Sequence, residues 1–321
     1  MVTNRRFRWQ PDLMPTPAET TANSRFEQFR PMLVGLAYRQ LGSLADAEDV
    51  VQDAWLRWQR SRASTDPVVV ASPRAYLCQT VMNLCLDLQR SARFRREHYV
   101  GSWLPEPLLD SHELRADTDA ELAADLSIAL MQVLDQLSPL ERAAFLLHDV
   151  FELGFIEVSD ALARTQDACR QLASRGRRKL RSEYQPDSSP SAEHQRLFHA
   201  FREAAALGDL RGLTQLLSED AVLISDGGGK VHAGRRPVLG GARIAEFFAA
   251  LARSYLTPGD LQVTALDING HPGFGLWSQQ QLIQIMHLEL RAGRIHRLYA
   301  QRNPDKLQRL QTAAAATPAL L

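Results

Sequence analysis

The sequence predicts a multidomain chain, two all-α helical domains followed by an α+β domain, and three observations carry that expectation. Apolar residues recur at helical spacing from about residue 25 to 98 and again from about 122 to 182. Two stretches of linker composition interrupt the chain. One carries Pro105 and Pro107 among Glu106, Asp110, Glu113 and Asp117, and the other runs from Gln185 to Ser191. Beyond the second, two helical stretches at about 191–217 lead to a strand at Ala221–Ser225 and a glycine-rich turn. A helix at about 241–255 and β-rich segments from Leu261 to Arg302 follow. The expected organisation is a flexible tail at 1–24, a helical domain at 25–98, a linker at 99–121, a second helical domain at 122–184, a short linker at 185–192, the α+β domain at 193–311 and a tail at 312–321.

The 37 basic and 37 acidic residues cancel, so any nucleic-acid surface must be a local patch. Cys78, Cys85 and Cys169 have no C-x-x-C spacing and are odd in number, which fits reduced, buried thiols rather than a metal or redox site. Arg5, Arg6 and Arg8 are followed by Pro11, Pro15 and Pro17 instead of an apolar run, so the N-terminus reads as a tail and not as a signal peptide. No apolar stretch is long enough to span a bilayer. The expectation is a cytoplasmic protein with no metal, no cofactor and no membrane partner.

In the first helical domain, Asp46-Ala-Glu-Asp49 opens a helix with an acidic first turn, which the helix dipole favours. Val51, Ala54, Trp55 and Trp58 then form its apolar stripe. By spacing alone Asp46, Glu48, Asp49 and Asp53 are accounted for by capping and solvation. After a loop at 61–72, Pro73-Arg-Ala-Tyr-Leu77 starts a helix that runs through Val81-Met-Asn83 to Asp87, Arg90, Arg93, Arg95 and Arg96. Phe94 and Tyr99 are interleaved with these cations, a composition suited to holding unstacked single-stranded bases.

The second helical domain contains a helix-turn-helix. Ser138-Pro-Leu-Glu141 combines a cap, a first-position proline and a capping box. Leu140, Ala143, Ala144, Leu147 and Val150 form one apolar face, Gly154 ends that helix, and Ile156–Leu162 makes a short one. Arg164-Thr165 is the turn, with Thr165 capping a last helix at about 166–181. That helix carries Arg170, Arg175, Arg177, Arg178, Lys179 and Arg181, with no acidic residue after Asp167. Ala168, Leu172 and Leu180 are expected to face inward, and Arg170, Gln171, Ser174, Arg175 and Arg178 outward. Residues near the helix start would reach base edges and the later cations would sit on phosphates.

Together these segments resemble the extracytoplasmic-function sigma factors. Asp46-Ala-Glu-Asp-Val-Val-Gln-Asp-Ala-Trp-Leu-Arg57 is similar to sigma region 2.2. The resemblance implies that Asp46, Glu48, Asp49, Gln52 and Asp53 dock on core RNA polymerase. The run from Arg74 through Asn83 and Asp87 to Arg90 resembles regions 2.3 and 2.4, implying contact of Asn83, Asp87, Arg90 and Arg93 with the −10 element. Leu137-Ser-Pro-Leu-Glu-Arg142 and Cys169-Arg-Gln-Leu-Ala-Ser-Arg175 resemble region 4, whose last helix reads the −35 element. Ala163 stands where the turn more often has Gly or Asn. Trp103-Leu104-Pro105-Glu106-Pro107, Asp226-Gly227-Gly228-Gly229-Lys230 and Asn303-Pro304-Asp305-Lys306-Leu307 resemble three signatures of the subgroup with a fused SnoaL-like C-terminal domain, the sigma-J-like group. That resemblance implies a cone-like α+β domain and an interdomain regulatory role for the three motifs, and no acid–base pair for catalysis is identifiable in the sequence.

A linker of about 25 residues spans at most roughly 80 Å, and two turns of duplex are about 70 Å, so both helical domains can reach separated promoter elements at once. Trp103 and Leu104 argue against a passive tether, because an exposed Trp-Leu pair prefers a surface to lie on. The Asp226–Lys230 segment lacks the spacing of a phosphate loop. A tight turn explains its glycines but not its charges. Asp226, His232, Trp277 and His287 are the candidates for lining a cavity, although lone histidines on strands are ordinarily hydrogen-bonded structure. The leading expectation is a non-enzymatic initiation factor regulated in cis by its C-terminal domain, in place of or beside an anti-sigma factor. The alternatives are a small-molecule sensor or enzyme that uses the sigma part as output, and a one-component repressor.

Overall fold

The computed structural model describes residues 17–63, 72–96, 99–109, 114, 122, 125–187, 189–255 and 261–311. The chain opens with α1 (Pro17–Leu41), α2 (Leu44–Ala63) and α3 (Pro73–Arg96). Helix α1 takes in residues 17–24, which the sequence places in a tail. Pro17 is its first residue, a position where the fixed proline φ favours the helix and no N–H is needed. Ser127 caps α4 (Ile128–Asp135) by accepting from the Leu130 N–H at 3.1 Å, so this helix starts later than the periodicity from about 122 suggests.

The capping box of Ser138 and Glu141 starts α5 (Pro139–Phe145), which runs into a π turn at Leu146–Val150. Then α6 (Phe155–Leu162) and α7 (Gln166–Glu183) complete the helix-turn-helix, with Thr165 accepting from the Ala168 N–H at 3.2 Å. Between them Ala163 is left-handed (φ 49°, ψ 52°), the conformation that suits Gly or Asn better.

The two helical domains share one core. Leu33, Leu36, Val51, Trp58, Leu77 and Met82 belong to the same buried cluster as Phe145, Leu147, Val150 and Phe151. Polar ties cross the same seam. Arg74 Nη2 donates to the Phe151 carbonyl at 2.8 Å, Gln79 Nε2 to that of Asp160 at 3.1 Å, and buried Arg142 to that of Gln40 at 2.7 Å.

The last domain has α8 (Ser191–Leu207), α9 (Leu210–Leu216), β1 (Leu217–Asp226), β2 (Val238–Leu239), α10 (Gly241–Tyr255), β3 (Leu261–Ile268), β4 (His271–Ser278), β5 (Gln281–Arg291), β6 (Arg294–Gln301) and α11 (Pro304–Leu307). The sheet order is β2-β1-β6-β5-β4-β3, with β1 and β6 parallel and the other pairs antiparallel. Register shifts in three of the pairs bend the sheet into its cone-like shape. One face packs Phe274, Met286, Leu288 and Leu298 against Leu197, Phe201 and Phe248 of the helices. The opposite face, with Ile268, Ile285 and Tyr299, receives Leu104 of the linker together with Ile128 and Ala129 of α4. The α+β domain is thereby fastened to the helical part by apolar burial as well as by the polar contacts described next.

Candidate interdomain clamp and nucleic-acid surfaces

Helix α7 buries Cys169, Ala173, Gly176 and Leu180. The inward stripe is therefore one position away from the expected Ala168 and Leu172, which are only half-buried. The reason is close approach: a Cβ at Gly176 would lie 2.9 Å from Phe145 Cβ, so the smallest side chains face α5. Arg170, Gln171, Ser174, Arg175 and Arg178 are all exposed and share the outer surface. Arg170 rests on its own helix start, 2.7 Å from Asp167 and over the Phe155 ring. Arg175 lies 3.6 Å from Glu141. The exposed Arg170–Asp167 pair is worth about 0–1 kcal/mol.

On α2, Asp46, Asp49, Gln52 and Asp53 are exposed, whereas Glu48 is half-buried and bonded to Arg309 Nη2 at 2.5 Å. On α3, Asn83 is half-buried, and Asp87 pairs with Arg90 at 3.0 Å on the surface. The Arg93 side chain lies outside the described residues, as do those of Phe94, Arg95 and Arg96.

The three motifs of the linker and last domain meet at one carboxylate. Asp226 ends β1 and is wholly buried. It accepts from the Tyr99 hydroxyl at 2.5 Å, the Leu104 N–H at 3.0 Å, the Gly228 N–H at 3.0 Å and Lys306 Nζ at 2.7 Å. Gln301 Nε2 stands at 3.3 Å. Lys306 also donates to the Leu104 carbonyl at 2.5 Å and lies over the Trp103 ring at 4.5 Å. Asn303 caps α11 through the Asp305 N–H and donates to Tyr99 at 3.0 Å. Gly228 (φ 62°) has no room for a Cβ, which would meet Asn303 at 2.4 Å. Lys230 pairs with Asp305 at 2.6 Å on the exposed rim, and Leu307 packs with Leu104 below it. Burial and the Asp226 carboxylate push the Tyr99 phenol well above its ordinary range, keeping it a donor.

The linker continues onto the first domain. Trp103 lies over the α1–α2 turn, where Gly42 (φ 73°) leaves no space for a side chain: a Cβ would be 2.3 Å from the indole. Pro105 and Pro107 are buried. Glu106, 5% exposed, accepts from the Leu44 N–H at 2.8 Å and so satisfies the N-terminus of α2 from another part of the chain. Its own carbonyl accepts from the Tyr38 hydroxyl at 2.7 Å.

Two nodes are absent from the sequence reading. Asn269, at the β3–β4 turn with φ 56°, is buried and joins α1, the linker and the segment that leads into α4. Its Nδ2 donates to Tyr38 Oη at 2.9 Å and to the Leu126 carbonyl at 2.8 Å, and its Oδ1 accepts from the Leu108 N–H at 2.9 Å. Arg39 of α1 is buried, donates to the carbonyls of Leu114 and Asp125, and lies over Phe151. Burial pulls its guanidinium down to about 10. An Asn-Gly turn signal marks residue 269 in the sequence, but nothing local indicates its partners.

The four cavity candidates do not converge. Asp226 is spent in the clamp, and Trp277 is buried with its Nε1 donating to Thr264 at 2.9 Å. His287 is buried on the Pro272 carbonyl, and His232 stands on an exposed loop. A cleft of about 380 Å³ opens instead between α8 and the β3–β4 hairpin, lined by His194, Phe198, His199, Asp267, Pro272 and Phe274. Among the described residues no group of three His, Cys, Asp or Glu side chains could hold a metal ion, and no helix is long and apolar enough to cross a membrane.

The model of Sigma-70 region 2 matches residues 25–95, and that of Sigma-70 region 4 matches residues 127–180. The ECF RNA polymerase sigma factor SigJ of Mycobacterium tuberculosis is 36% identical over 298 residues, 88% of this chain and 92% of that protein. The probable ECF RNA polymerase sigma factor SigI of the same species is 29% identical over 290 residues, 88% of this chain and 93% of its own length. The crystal structure of the M. tuberculosis extracytoplasmic function sigma factor SigJ superposes with a TM-score of 0.67 at 34% identity, covering 89% of this chain and 98% of that one. A paired region 2 and region 4, followed by an α+β domain along nearly the full length of such a relative, leave one conclusion: this chain belongs to the extracytoplasmic-function RNA polymerase sigma factors, non-enzymatic initiation factors that partner core RNA polymerase and promoter DNA.

Proposed function

We propose that the C-terminal domain regulates this sigma factor in cis by holding regions 2 and 4 in a closed arrangement. The observation that carries the reading is the Asp226–Lys306 clamp, which seizes the linker at Tyr99 and Leu104. Reading two promoter elements at once needs an extended linker, and a linker bonded to α1, α2 and β1 is not extended. In the open state Asp46, Glu48, Asp49, Gln52 and Asp53 dock on polymerase. Asn83, Asp87, Arg90 and Arg93 engage the −10 element, and Arg170, Gln171, Ser174, Arg175 and Arg178 the −35 element. The Arg309–Glu48 contact supports competition between the C-terminal domain and polymerase for α2. The domain takes the place of a separate anti-sigma factor, and the protein works in the cytoplasm beside the polymerase it serves.

The test is in-vitro transcription with core polymerase, comparing the full chain with chains ending near residue 184 and near residue 300. The chain ending near 300 lacks Asn303–Leu307 and should initiate differently from the full chain at the same promoter. Equal initiation by all three would end the regulatory reading. A second reading makes a small molecule the trigger. It is favoured by the cleft at Asp267 and Pro272, which flank the Asn269 turn, and it predicts a ligand that shifts the melting of residues 193–311.

A further inference from the structure

We propose that the concavity where the linker meets the glycine-rich turn binds a small phosphorylated or otherwise polyanionic metabolite, and that its occupancy fastens the linker to the C-terminal domain. The concavity holds about 430 Å³, and Val100, Gly101, Gly229, Lys230, His232 and Arg235 are among its walls. That volume suits a sugar phosphate or a nucleotide, within the roughly 300–1,000 Å³ usual for ligand sites. Its charged side chains are cations: Lys230 and Arg235 line it beside the His232 imidazole, and no carboxylate does. Lys230 is paired with Asp305, but at 54% and 63% exposure the pair is weak and leaves the ammonium able to take a second anion.

The loop is held for such a task. Arg302 donates to the His232 carbonyl at 2.5 Å and ties the loop to the end of β6, while the Lys230 and Val231 N–H groups both donate to the Gly227 carbonyl. Val100 and Gly101 form one wall only while the linker is docked, so the ligand must prefer the docked state and strengthen it reciprocally. Binding stands independently of the regulatory reading; only its consequence for initiation rests on that reading.

The experiment is isothermal titration of the full chain with inorganic pyrophosphate at fixed ionic strength, beside a sulfate titration. The expected result is saturable one-site binding, weakened about tenfold or more in a His232→Ala, Arg235→Ala double variant that melts like the parent. Asp226→Ala, which frees the linker wall, should weaken it comparably; should that variant fold poorly, Tyr99→Phe replaces it. Three results overturn the proposal: no saturable heat, equal affinity in the double variant, or sulfate bound as tightly as pyrophosphate. Unchanged affinity in the undocked variant would refute the fastening role.

Discussion

Replacing Asp226 with alanine tests the closed arrangement at its centre. The carboxylate is wholly buried and meets Lys306, itself only 14% exposed, at 2.7 Å. Removing one partner of a buried pair costs about 3–5 kcal/mol, because the other charge is left uncompensated. Here Lys306 keeps the Leu104 carbonyl at 2.5 Å, which places the cost at the lower end, about 3 kcal/mol. At about 1.4 kcal/mol per decade, that shifts the ratio of docked to undocked linker by about a hundredfold. Undocking is a cheaper response than unfolding, since the sheet and its helices keep their own core. The expected signature is a larger radius of gyration in X-ray scattering, with far-ultraviolet dichroism unchanged. A cycle with Lys306→Met should return a coupling energy of about 1–3 kcal/mol in urea denaturation. An unchanged radius together with a coupling energy below about 0.5 kcal/mol would refute the reasoning.

Asn269→Ala removes three buried hydrogen bonds and leaves at φ 56° a residue that tolerates the left-handed region less well than asparagine. It should loosen the assembly by about 2–4 kcal/mol, at roughly 1 kcal/mol per bond plus the left-handed penalty. Asn269→Gly should recover only the backbone share, read by the same scattering and denaturation. Ala163→Gly should stabilise region 4 by up to about 1 kcal/mol, relieving φ 49° at the turn, as measured by melting. Burial, aided by His271, lowers His287 to about 3. Its folded value lies below the unfolded one, so stability falls by up to about 1.4 kcal/mol per unit as pH drops below about 6.5. Burial also lowers His194, but Asp187 at 2.9 Å outweighs it and the net shift is upward. Its contribution is therefore complete below about pH 6.5 and lost as pH rises through the folded value. Urea midpoints from about pH 5 to about pH 9 should lose the acid slope in His287→Gln and the alkaline slope in His194→Gln. Arg178→Ala should lower the salt dependence of −35 binding by about one unit of slope, and Gln171→Ala should change sequence preference instead.

What could be read from the sequence was local. Capping at Ser138 and Thr165, the composition of the linker, and the alternation of strands all rest on contacts between near neighbours, and the helix-turn-helix followed from them. The inward face of α7 was misplaced by one residue because hydrophobicity selects Leu172, while the close approach to Phe145 selects Gly176 and its small companions. Asp226 and Lys230 stood out as charges that a turn could not explain, but the meeting of Asp226 with Lys306, 80 residues on, depends on β1 and β6 pairing in parallel. Tyr38 and Arg39 carried no signal, and Asn269 only that of a turn. Each is an ordinary residue within its own element, and its role exists only once a different domain supplies the partner.

The polar character of these nodes bears on how the factor could open. The shared core of regions 2 and 4 and the apolar seat of Leu104 favour the compact form in proportion to buried area. The specificity of docking instead comes from hydrogen bonds at Asp226, Asn269, Arg39 and Glu106. Each such bond is worth only about 0.5–1.5 kcal/mol net when water can replace it, and much more when its partner stays buried. Separating the surfaces lets water reach both sides together, so a concerted opening costs less than the sum of single-residue losses. A polymerase that binds the open form more tightly by about 5.5 kcal/mol would turn a 1:99 population into 99:1. Glu106 makes that competition direct: it satisfies the N-terminus of α2, the helix proposed to dock on polymerase, so release of the linker alters the docking helix at the same moment as it frees region 4.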